Sequence, residues 1–269
     1  MLQVIDLSIT FDEQKHKKTN PEQVYEYVHD VTFTIEKGEI LGLVGESGSG
    51  KTLTSLTIAG LYKPGQVIRQ GNILFEGVDL LRLSAHEMRK VQGSKIGMVF
   101  QEPLTALNPT KRIGKQVEEV LVLHTKLGRF ERLKRVEEAL RDVELEPFQV
   151  MDKFPHELSG GMRQRVMIAS VIISRPKLLI ADEPTTALDS VTQDAILQLL
   201  KKLNQKHKIA ILLISHNLKV IRELCPSVLI MKNGEIVEQG NTEEIFLHPK
   251  HEYTQKLIDA IPRKKHANQ

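Results

Sequence analysis

The sequence contains one cysteine, Cys225, among its 269 residues. A single thiol excludes an internal disulfide framework, and it excludes any cysteine-built cluster held by this chain alone. We therefore expect a reducing, cytoplasmic setting. No apolar run approaches the roughly 20 residues that a membrane-spanning helix needs. The N-terminal residues lack a basic start followed by an apolar stretch, so we expect no signal peptide.

Excess charge of one sign is also lacking. Lysine and arginine number 37 and aspartate and glutamate 34, a formal net charge of +3, which does not argue for a nucleic-acid partner. Short basic runs at residues 15–18 and 263–266 are interpreted as solvated surface. With 41% hydrophobic and 26% charged residues, the chain is typical of a folded protein with one large domain or two small ones.

The apolar pattern changes along the chain. Short β-branched runs at residues 31–35, 40–44, 73–75 and 96–100 predict strands in the first part. Residues 115–146 instead repeat apolar positions at three- and four-residue spacing, which predicts amphipathic helices on either side of Gly128. These positions are Val117, Val120, Leu121, Leu133, Val136, Leu140 and Val143.

Buried strands and helices alternate in the second half of the sequence. We predict helices over residues 159–173 and 192–204, and continuous apolar strands over residues 178–181 and 209–214. Such alternation indicates a parallel sheet covered on both faces. The helical stretch at 115–146 interrupts it, so we interpret that stretch as a subdomain inserted into an α/β core.

A glycine-rich loop follows the apolar run at residues 40–44 and precedes a helix-compatible stretch. It fits G-x-x-x-x-G-K-[ST], the phosphate-binding loop, whose inward-pointing backbone N–H groups bind phosphate oxygens. Lysine supplies a charge to the β- and γ-phosphates, and the following hydroxyl can ligate Mg²⁺. The loop consists of Gly45, Glu46, Ser47, Gly48, Ser49, Gly50, Lys51 and Thr52.

Two carboxylates, Asp182 and Glu183, end the buried strand predicted at 178–181. Buried strands reject charge, so two acids there indicate a cation or a catalytic task. Asp182 is the candidate partner of Mg²⁺, in contact or through water, and Glu183 the candidate that polarises the attacking water.

The segment from Leu158 to Gln164 reads as a helix N-cap serine followed by two glycines. Taken with the loop and the acids, it resembles the LSGGQ signature of ABC-type ATPases, with Met162 in the glutamine position. The residues assigned to this signature are Ser159, Gly160, Gly161 and Gln164.

Three further motifs of that family occur in its order. Gln101 matches the Q-loop, Asp189 in Ala187-Leu188-Asp189 the D-loop, and His216 the switch histidine. The resemblance implies ATP and Mg²⁺ as ligands, with Thr52, Gln101 and Asp182 around the metal. It also implies that Glu183, His216 and Gln101 serve catalysis.

The family fold implied is a P-loop NTPase (RecA-like) α/β core with an N-terminal antiparallel β subdomain and an inserted α-helical subdomain. The ATPase domain would span residues 1–255, with its core at 1–101 and 165–240 and its helical subdomain at about 102–164. Residues 241–269 would form a short C-terminal tail without a cysteine cluster motif.

The family clamps ATP in a head-to-tail dimer, so the signature residues would act in trans and Asp189 would organise the interface. The family also stacks an aromatic ring on adenine. Phe11 is our choice for that ring, with Tyr25 and Tyr27 as alternatives.

Sequences flanking these motifs look like those of oligopeptide, dipeptide and nickel importer ATPases, notably Phe100 to Pro109 and His248 to Thr254. The implied function is ATP hydrolysis that energises import of peptides or of nickel and metal chelates. The family's cysteine-rich segment is missing here, which favours the nickel or metal-chelate members.

The implied partners are a second ATPase chain in a heterodimer, two transmembrane permeases and an extracellular or periplasmic solute-binding protein. This chain would lie at the cytoplasmic face of the membrane. A soluble ABC ATPase acting on nucleic acid or ribosomes and a plain P-loop kinase are the alternatives.

Overall fold

A computed structural model describes residues 1–11, 26–62, 66–101, 106–186 and 188–261. Several sequence predictions lie outside these ranges: the basic runs at 15–18 and 263–266, Tyr25, the residues 102–105 that follow Gln101, and Ala187.

An antiparallel sheet is built from residues near the N-terminus, as predicted. Its spatial order is β2-β1-β4-β5, in which every neighbouring pair is antiparallel. The inward side chains of β1 and β2 are fully or almost fully buried, as in a sheet with one face against a core. The strands are β1 (Leu2–Phe11), β2 (Glu26–Ile35), β4 (Gln66–Phe75) and β5 (Val78–Asp79).

The second sheet is the predicted parallel one. Its strands in spatial order are β10 (Glu235–Asn241), β9 (Ser227–Lys232), β3 (Ile40–Val44), β8 (Ala210–Ile214), β7 (Leu178–Asp182) and β6 (Ile96–Val99). All neighbours are parallel except β10, which pairs antiparallel with β9. Every residue of β3, β6, β7 and β8 is buried, which explains their continuous apolar sequences.

Helices follow the strands and cover this sheet. Helix boundaries agree with the predicted ones within a few residues, the largest difference being at the helix that runs from Ser190 to His207 rather than from 192 to 204. The helices are α1 (Lys51–Ile58), α2 (Ala85–Val91), α3 (Ile113–His124), α4 (Arg129–Asp142), α5 (Pro147–Val150), α6 (Gly160–Ile172), α7 (Ser190–His207), α8 (Leu218–Leu224), α9 (Thr242–Leu247) and α10 (Glu252–Asp259).

The inserted helices share an apolar cluster with the core helix α6. Val117 and Leu121 of α3 and Val136 and Leu140 of α4 are buried in this cluster. Leu133, which the periodicity assigned to the same face, is 44% exposed and precedes the first buried residue of α4, Val136. The boundaries at 101/102 and 164/165 stay predictions.

The region after residue 241, expected as a short C-terminal tail without a cysteine cluster motif, is folded where the structure describes it. It forms α9 and α10. Ile245, Phe246 and Tyr253 are buried in the same apolar cluster as the core strands. Burial of these three large side chains gives the two helices a packing energy that their length alone would not supply.

Candidate functional site

A cleft of about 1040 Å³ lies at the carboxyl ends of the parallel strands. This is the edge at which open α/β sheets bind ligands. The described residues that line it come from the phosphate loop, the β1–β2 edge and the ends of β6, β7 and β8. They are Phe11, Tyr27, Glu46, Ser47, Gly48, Ser49, Gly50, Lys51, Thr52, Leu53, Gln101, Glu183 and His216.

The phosphate loop joins β3 to α1, as the motif requires. Gly48 and Gly50 have φ of 82° and 103°, a region that favours glycine and lets consecutive N–H groups converge. Gly45, the first glycine of the loop, has no positive φ. Its role is steric, since a Cβ there would lie 2.1 Å from the Met231 carbonyl oxygen.

Lys51 begins α1 and is 6% exposed. Its Nζ donates to the carbonyl oxygens of Gly45 (2.8 Å) and Glu46 (2.7 Å) and lies 3.3 Å from the Ser49 hydroxyl oxygen. Burial lowers the pKa of Lys51, against the opposing effect of the Glu183, Asp182 and Glu46 carboxylates. The ammonium group is therefore held inside the loop by acceptors that a phosphate could replace.

Asp182 ends β7 and is buried, whereas Glu183 follows the strand with φ of 46°. A positive φ is strained for a glutamate and here turns its side chain into the cleft that it lines. The Glu183 carboxylate accepts hydrogen bonds from the Thr186 hydroxyl (2.8 Å) and from the Gln101 amide (3.3 Å). The backbone N–H of Glu183 donates to the carbonyl of Ile214 at 3.0 Å, which ties the turn to the neighbouring strand.

His216 follows β8 and contributes to the same cluster. Its Nδ1 lies 3.2 Å from Oε1 of Glu183, and its side chain is 60% exposed. The Glu183 carboxylate is thus the meeting point of three residues predicted from separate motifs, with Gln101 and His216 on either side. Thr186 was not predicted, because a threonine in the turn after Pro184 carries no chemical signal of its own.

Two aromatic rings close one end of the cleft. Phe11 and Tyr27 contact edge to face, with centroids 5.1 Å apart and an interplanar angle of 84°. Both line the cleft, so the structure retains both as candidates for an adenine-stacking ring.

The signature residues lie elsewhere. Ser159 caps α6, its hydroxyl accepting from the Met162 N–H at 3.3 Å, and Gly160 is exposed beside it. Among the described residues, neither is part of the cleft lining. This position agrees with a role on a nucleotide held by another molecule.

Gln164 departs from the expectation that it belongs to this exposed surface. Its side chain is 1% exposed, and its amide nitrogen has no hydrogen-bond partner in the described structure. Four residues after the N-terminus of α6, the helical repeat turns this position inward toward the core. In this conformation the Gln164 side chain is not accessible to a partner's nucleotide, and its assignment to the signature stays a prediction.

Asp189 is the N-cap of α7. Its carboxylate accepts from the backbone N–H of Thr192 (3.0 Å) and from the Thr192 hydroxyl (2.7 Å). These hydrogen bonds lower the pKa of Asp189. Gly161 of the signature packs nearby, since a Cβ there would lie 2.7 Å from Cγ2 of Thr192.

The described residues contain no group of three or more histidine, cysteine, aspartate or glutamate side chains placed to hold a metal ion. Within the same ranges, none of the helices combines the length and apolarity needed to span a bilayer.

Comparisons with known proteins give a consistent assignment. The family model described as "ABC transporter" matches residues 28–186. Another, described as "Oligopeptide/dipeptide transporter, C-terminal region", matches residues 237–269.

Curated relatives match almost the full chain. It is 47% identical over 264 residues to the oligopeptide transport ATP-binding protein OppD of Bacillus subtilis, covering 97% of this chain and 72% of the relative. It is 41% identical over 264 residues to the dipeptide transport ATP-binding protein DppD of Escherichia coli, covering 97% of this chain and 78% of the relative.

Solved structures share the fold. MJ0796, an ATP-binding cassette solved as a dimer in a post-hydrolysis state with ADP and phosphate, has a TM-score of 0.76 and 30% identity, covering 90% of this chain and 99% of its own. CbiO1 from Clostridium perfringens, part of the ABC transporter complex cbiONQ, has a TM-score of 0.78 and 30% identity, covering 92% of this chain and 90% of its own.

Proposed function

This chain belongs to the ABC transporter family and is an ATP-hydrolysing subunit that energises a membrane transporter, and we propose that the transporter imports peptides. The observation that carries the peptide assignment is the match of residues 237–269 to the C-terminal region of oligopeptide and dipeptide transporters. The names of the relatives OppD and DppD support the same substrate class. A soluble ATPase acting on nucleic acid or ribosomes is not favoured, since these relatives are transport proteins.

Within the cleft, the chain's residues divide the work of hydrolysis. The glycine-rich loop and Lys51 would bind the phosphates, because Gly48, Gly50 and Lys51 line the cleft where α1 begins. Glu183 would accept a proton from the attacking water, because its carboxylate lines the cleft beside His216 and Gln101. His216 would donate to the γ-phosphate, and the exposed ring leaves it free to reach a ligand.

The donor set suits Mg²⁺. Thr52 and Gln101 line the cleft and Asp182 lies buried at the end of β7, and together they offer hydroxyl, amide and carboxylate oxygens. Oxygen ligands are those that Mg²⁺ prefers. Bound there, the ion would neutralise charge on the phosphates.

We further propose that the chain works in a head-to-tail dimer with a second ATPase chain. Ser159 and Gly160 are exposed and lie outside the described lining of the chain's own cleft, so they are available to a nucleotide bound by the partner. Asp189, which caps α7 behind the signature, would lie at the interface. Two permeases and a solute-binding protein would complete the importer, with this chain at the cytoplasmic face of the membrane.

Uptake experiments test the solute. Cells that lack this gene are compared with cells that carry a plasmid copy, or a copy with Glu183→Gln, for uptake of a labelled tripeptide and of radioactive nickel. We expect peptide uptake to be lost without the gene, restored by the wild-type copy and not by the variant. Loss of nickel uptake alone would overturn the peptide assignment, and normal uptake of both would overturn the importer proposal.

A further inference from the structure

Tyr253 connects the C-terminal helix α10 to the phosphate loop. Its hydroxyl oxygen lies 3.0 Å from the backbone nitrogen of Glu46, whose N–H donates to it. The two residues are 207 positions apart in the sequence. Glu46 is the second residue of the loop, so this hydrogen bond fixes the point at which the chain leaves β3 and enters the phosphate-binding turn.

The bond has an unusual direction for this loop. Successive N–H groups of a phosphate loop point at the ligand, whereas the N–H of Glu46 points at a tyrosine. Tyr253 is 5% exposed and is not among the described residues that line the cleft. Its hydroxyl therefore holds the loop from behind and does not contact the ligand.

Two backbone contacts support the same side of the loop. The N–H of Gly234, in the turn between β9 and β10, donates to the Ser49 carbonyl at 3.0 Å. The Met231 carbonyl lies against Gly45, where a Cβ would be 2.1 Å from its oxygen. Of these three braces, Tyr253 is the one made by a side chain, and it comes from the segment that matches the C-terminal region of peptide transporters.

Tyr253 is itself held in place. The Lys232 ammonium lies 4.9 Å from the centre of its ring. The backbone N–H groups of Lys250 and His251 donate to the Glu238 carboxylate on β10 at 2.9 Å and 3.1 Å, which fixes the start of α10. Burial raises the pKa of the Tyr253 hydroxyl, so it stays neutral at physiological pH.

We propose that Tyr253 is a positioning residue of the nucleotide site, which keeps the entrance of the phosphate loop in its binding conformation and makes nucleotide affinity depend on the placement of α10. Without the hydroxyl, the Glu46 N–H loses its partner and the loop populates other conformations. A smaller fraction of molecules then has the loop in its binding conformation, and the apparent nucleotide affinity falls by that fraction. The inference rests on nucleotide binding and not on the identity of the transported solute.

The test compares Tyr253→Phe with wild type in the full chain by calorimetric titration of MgADP. We expect the Kd to rise about five- to tenfold, with the thermal unfolding temperature of the nucleotide-free chain nearly unchanged. Tyr62→Phe is the matched control, since Tyr62 is 48% exposed and lies outside the described lining of the cleft, and the Kd of this variant should equal that of wild type. An unchanged Kd in Tyr253→Phe, with or without a lower unfolding temperature, would overturn the proposal.

A second measurement uses wild type alone. Coupling between two sites is reciprocal, so MgADP should slow amide hydrogen exchange in residues 252–259 as well as in the loop. Slower exchange in the loop with no change in α10 would overturn the proposal. Neither measurement uses hydrolysis or uptake, so a failure of the peptide-import proposal would appear separately, in the transport experiment.

Discussion

Nδ1 of His216 lies 3.2 Å from Oε1 of Glu183, and this pair forms the centre of the candidate catalytic cluster. The other carboxylate oxygen accepts from Gln101 and Thr186. Residues from the ends of three adjacent parallel strands, β6, β7 and β8, therefore converge on one acid beside the phosphate loop. Such an arrangement restrains the carboxylate while leaving it beside the space where a water could attack a γ-phosphate.

Glu183→Gln should keep nucleotide binding and remove most turnover. The amide preserves the size of the side chain but cannot accept a proton from water, so steady-state ATP hydrolysis should fall about 100-fold or more. The Kd for MgATP, which depends on the loop and Lys51, should change little. Glu235→Gln, at an exposed carboxylate on β10, serves as the control. Hydrolysis by Glu183→Gln close to the wild-type rate would reject the role of this residue.

Gly160→Ala should separate a role in trans from a structural role. A Cβ at position 160 would have as its nearest described neighbour Cδ2 of Leu188 at 3.6 Å, an ordinary contact, and alanine is a better helix former than glycine. The thermal unfolding temperature should therefore stay level or rise. In the proposed dimer, ATPase activity should fall, because the methyl group would occupy the surface proposed to face the partner's nucleotide. Full activity in Gly160→Ala would argue against that surface.

A dimer of one Gly160→Ala chain and one unmutated partner chain gives a sharper form of this test. The Gly160→Ala chain still has an intact cleft, so it should bind nucleotide normally at its own phosphate loop. The loss should appear at the site formed with the partner's loop. Gly161→Ala is the contrasting variant, since its Cβ would lie 2.7 Å from Thr192 and should disturb the folded chain itself.

Structural features that depend on neighbouring residues in the sequence could be predicted from the sequence alone. Strand β3 was predicted at residues 40–44 and is found there, because a fully buried parallel strand needs a continuous apolar run. The glycine-rich loop, the cap at Ser159 and the two acids at the end of β7 could also be predicted from neighbouring residues. Positions that depend on distant packing could not. Gly45 has no room for a side chain because the Met231 carbonyl packs against it. Gln164 is buried because folding places its side of α6 against the core.

The C-terminal segment shows the same limit most clearly. Nothing near Tyr253 in the sequence indicates a contact with Glu46, because the contact depends on how α10 packs against β9 and β10. From the sequence, residues 241–269 were expected to form a short tail without a cysteine cluster motif. Folding added the burial of Ile245, Phe246 and Tyr253, which no local pattern reports.

Nucleotide affinity should fall as pH rises through the lowered pKa of Lys51. Burial holds this pKa below the ordinary value of 10.5, and a bound phosphate should raise it again by stabilising the charged form. The complex then holds more protons than the free chain in this range, so binding takes up protons and weakens with increasing pH. Titrations of MgADP at several alkaline pH values, in buffers of different ionisation enthalpy, measure both effects.

The control for this experiment is Lys37→Met, which removes an exposed lysine outside the cleft and should leave the pH profile unchanged. The explanation would fail if affinity stayed constant up to pH 10.5 with no proton uptake.

Cys225 should report opening of the contact between β3 and α8. Burial raises the pKa of its thiol far above the usual range, and the thiolate is the reactive form, so iodoacetamide should label the native chain very slowly at neutral pH. A Cβ at Gly42 would lie 2.8 Å from Ile221 and 3.2 Å from Sγ of Cys225. Gly42→Ala should therefore push α8 away from β3, lower the free energy of unfolding by about 1–3 kcal/mol and speed labelling.

The packing control is Gly128→Ala. Gly128 has a negative φ, and a Cβ there would lie 3.8 Å from its nearest neighbour, so this variant should label like wild type. Gly77→Ala would be a poor control, because Gly77 has φ of 82°. Because the chain has one cysteine, the mass increase on labelling has a single source, and equal labelling rates in wild type and Gly42→Ala would show that this contact does not limit access to the thiol.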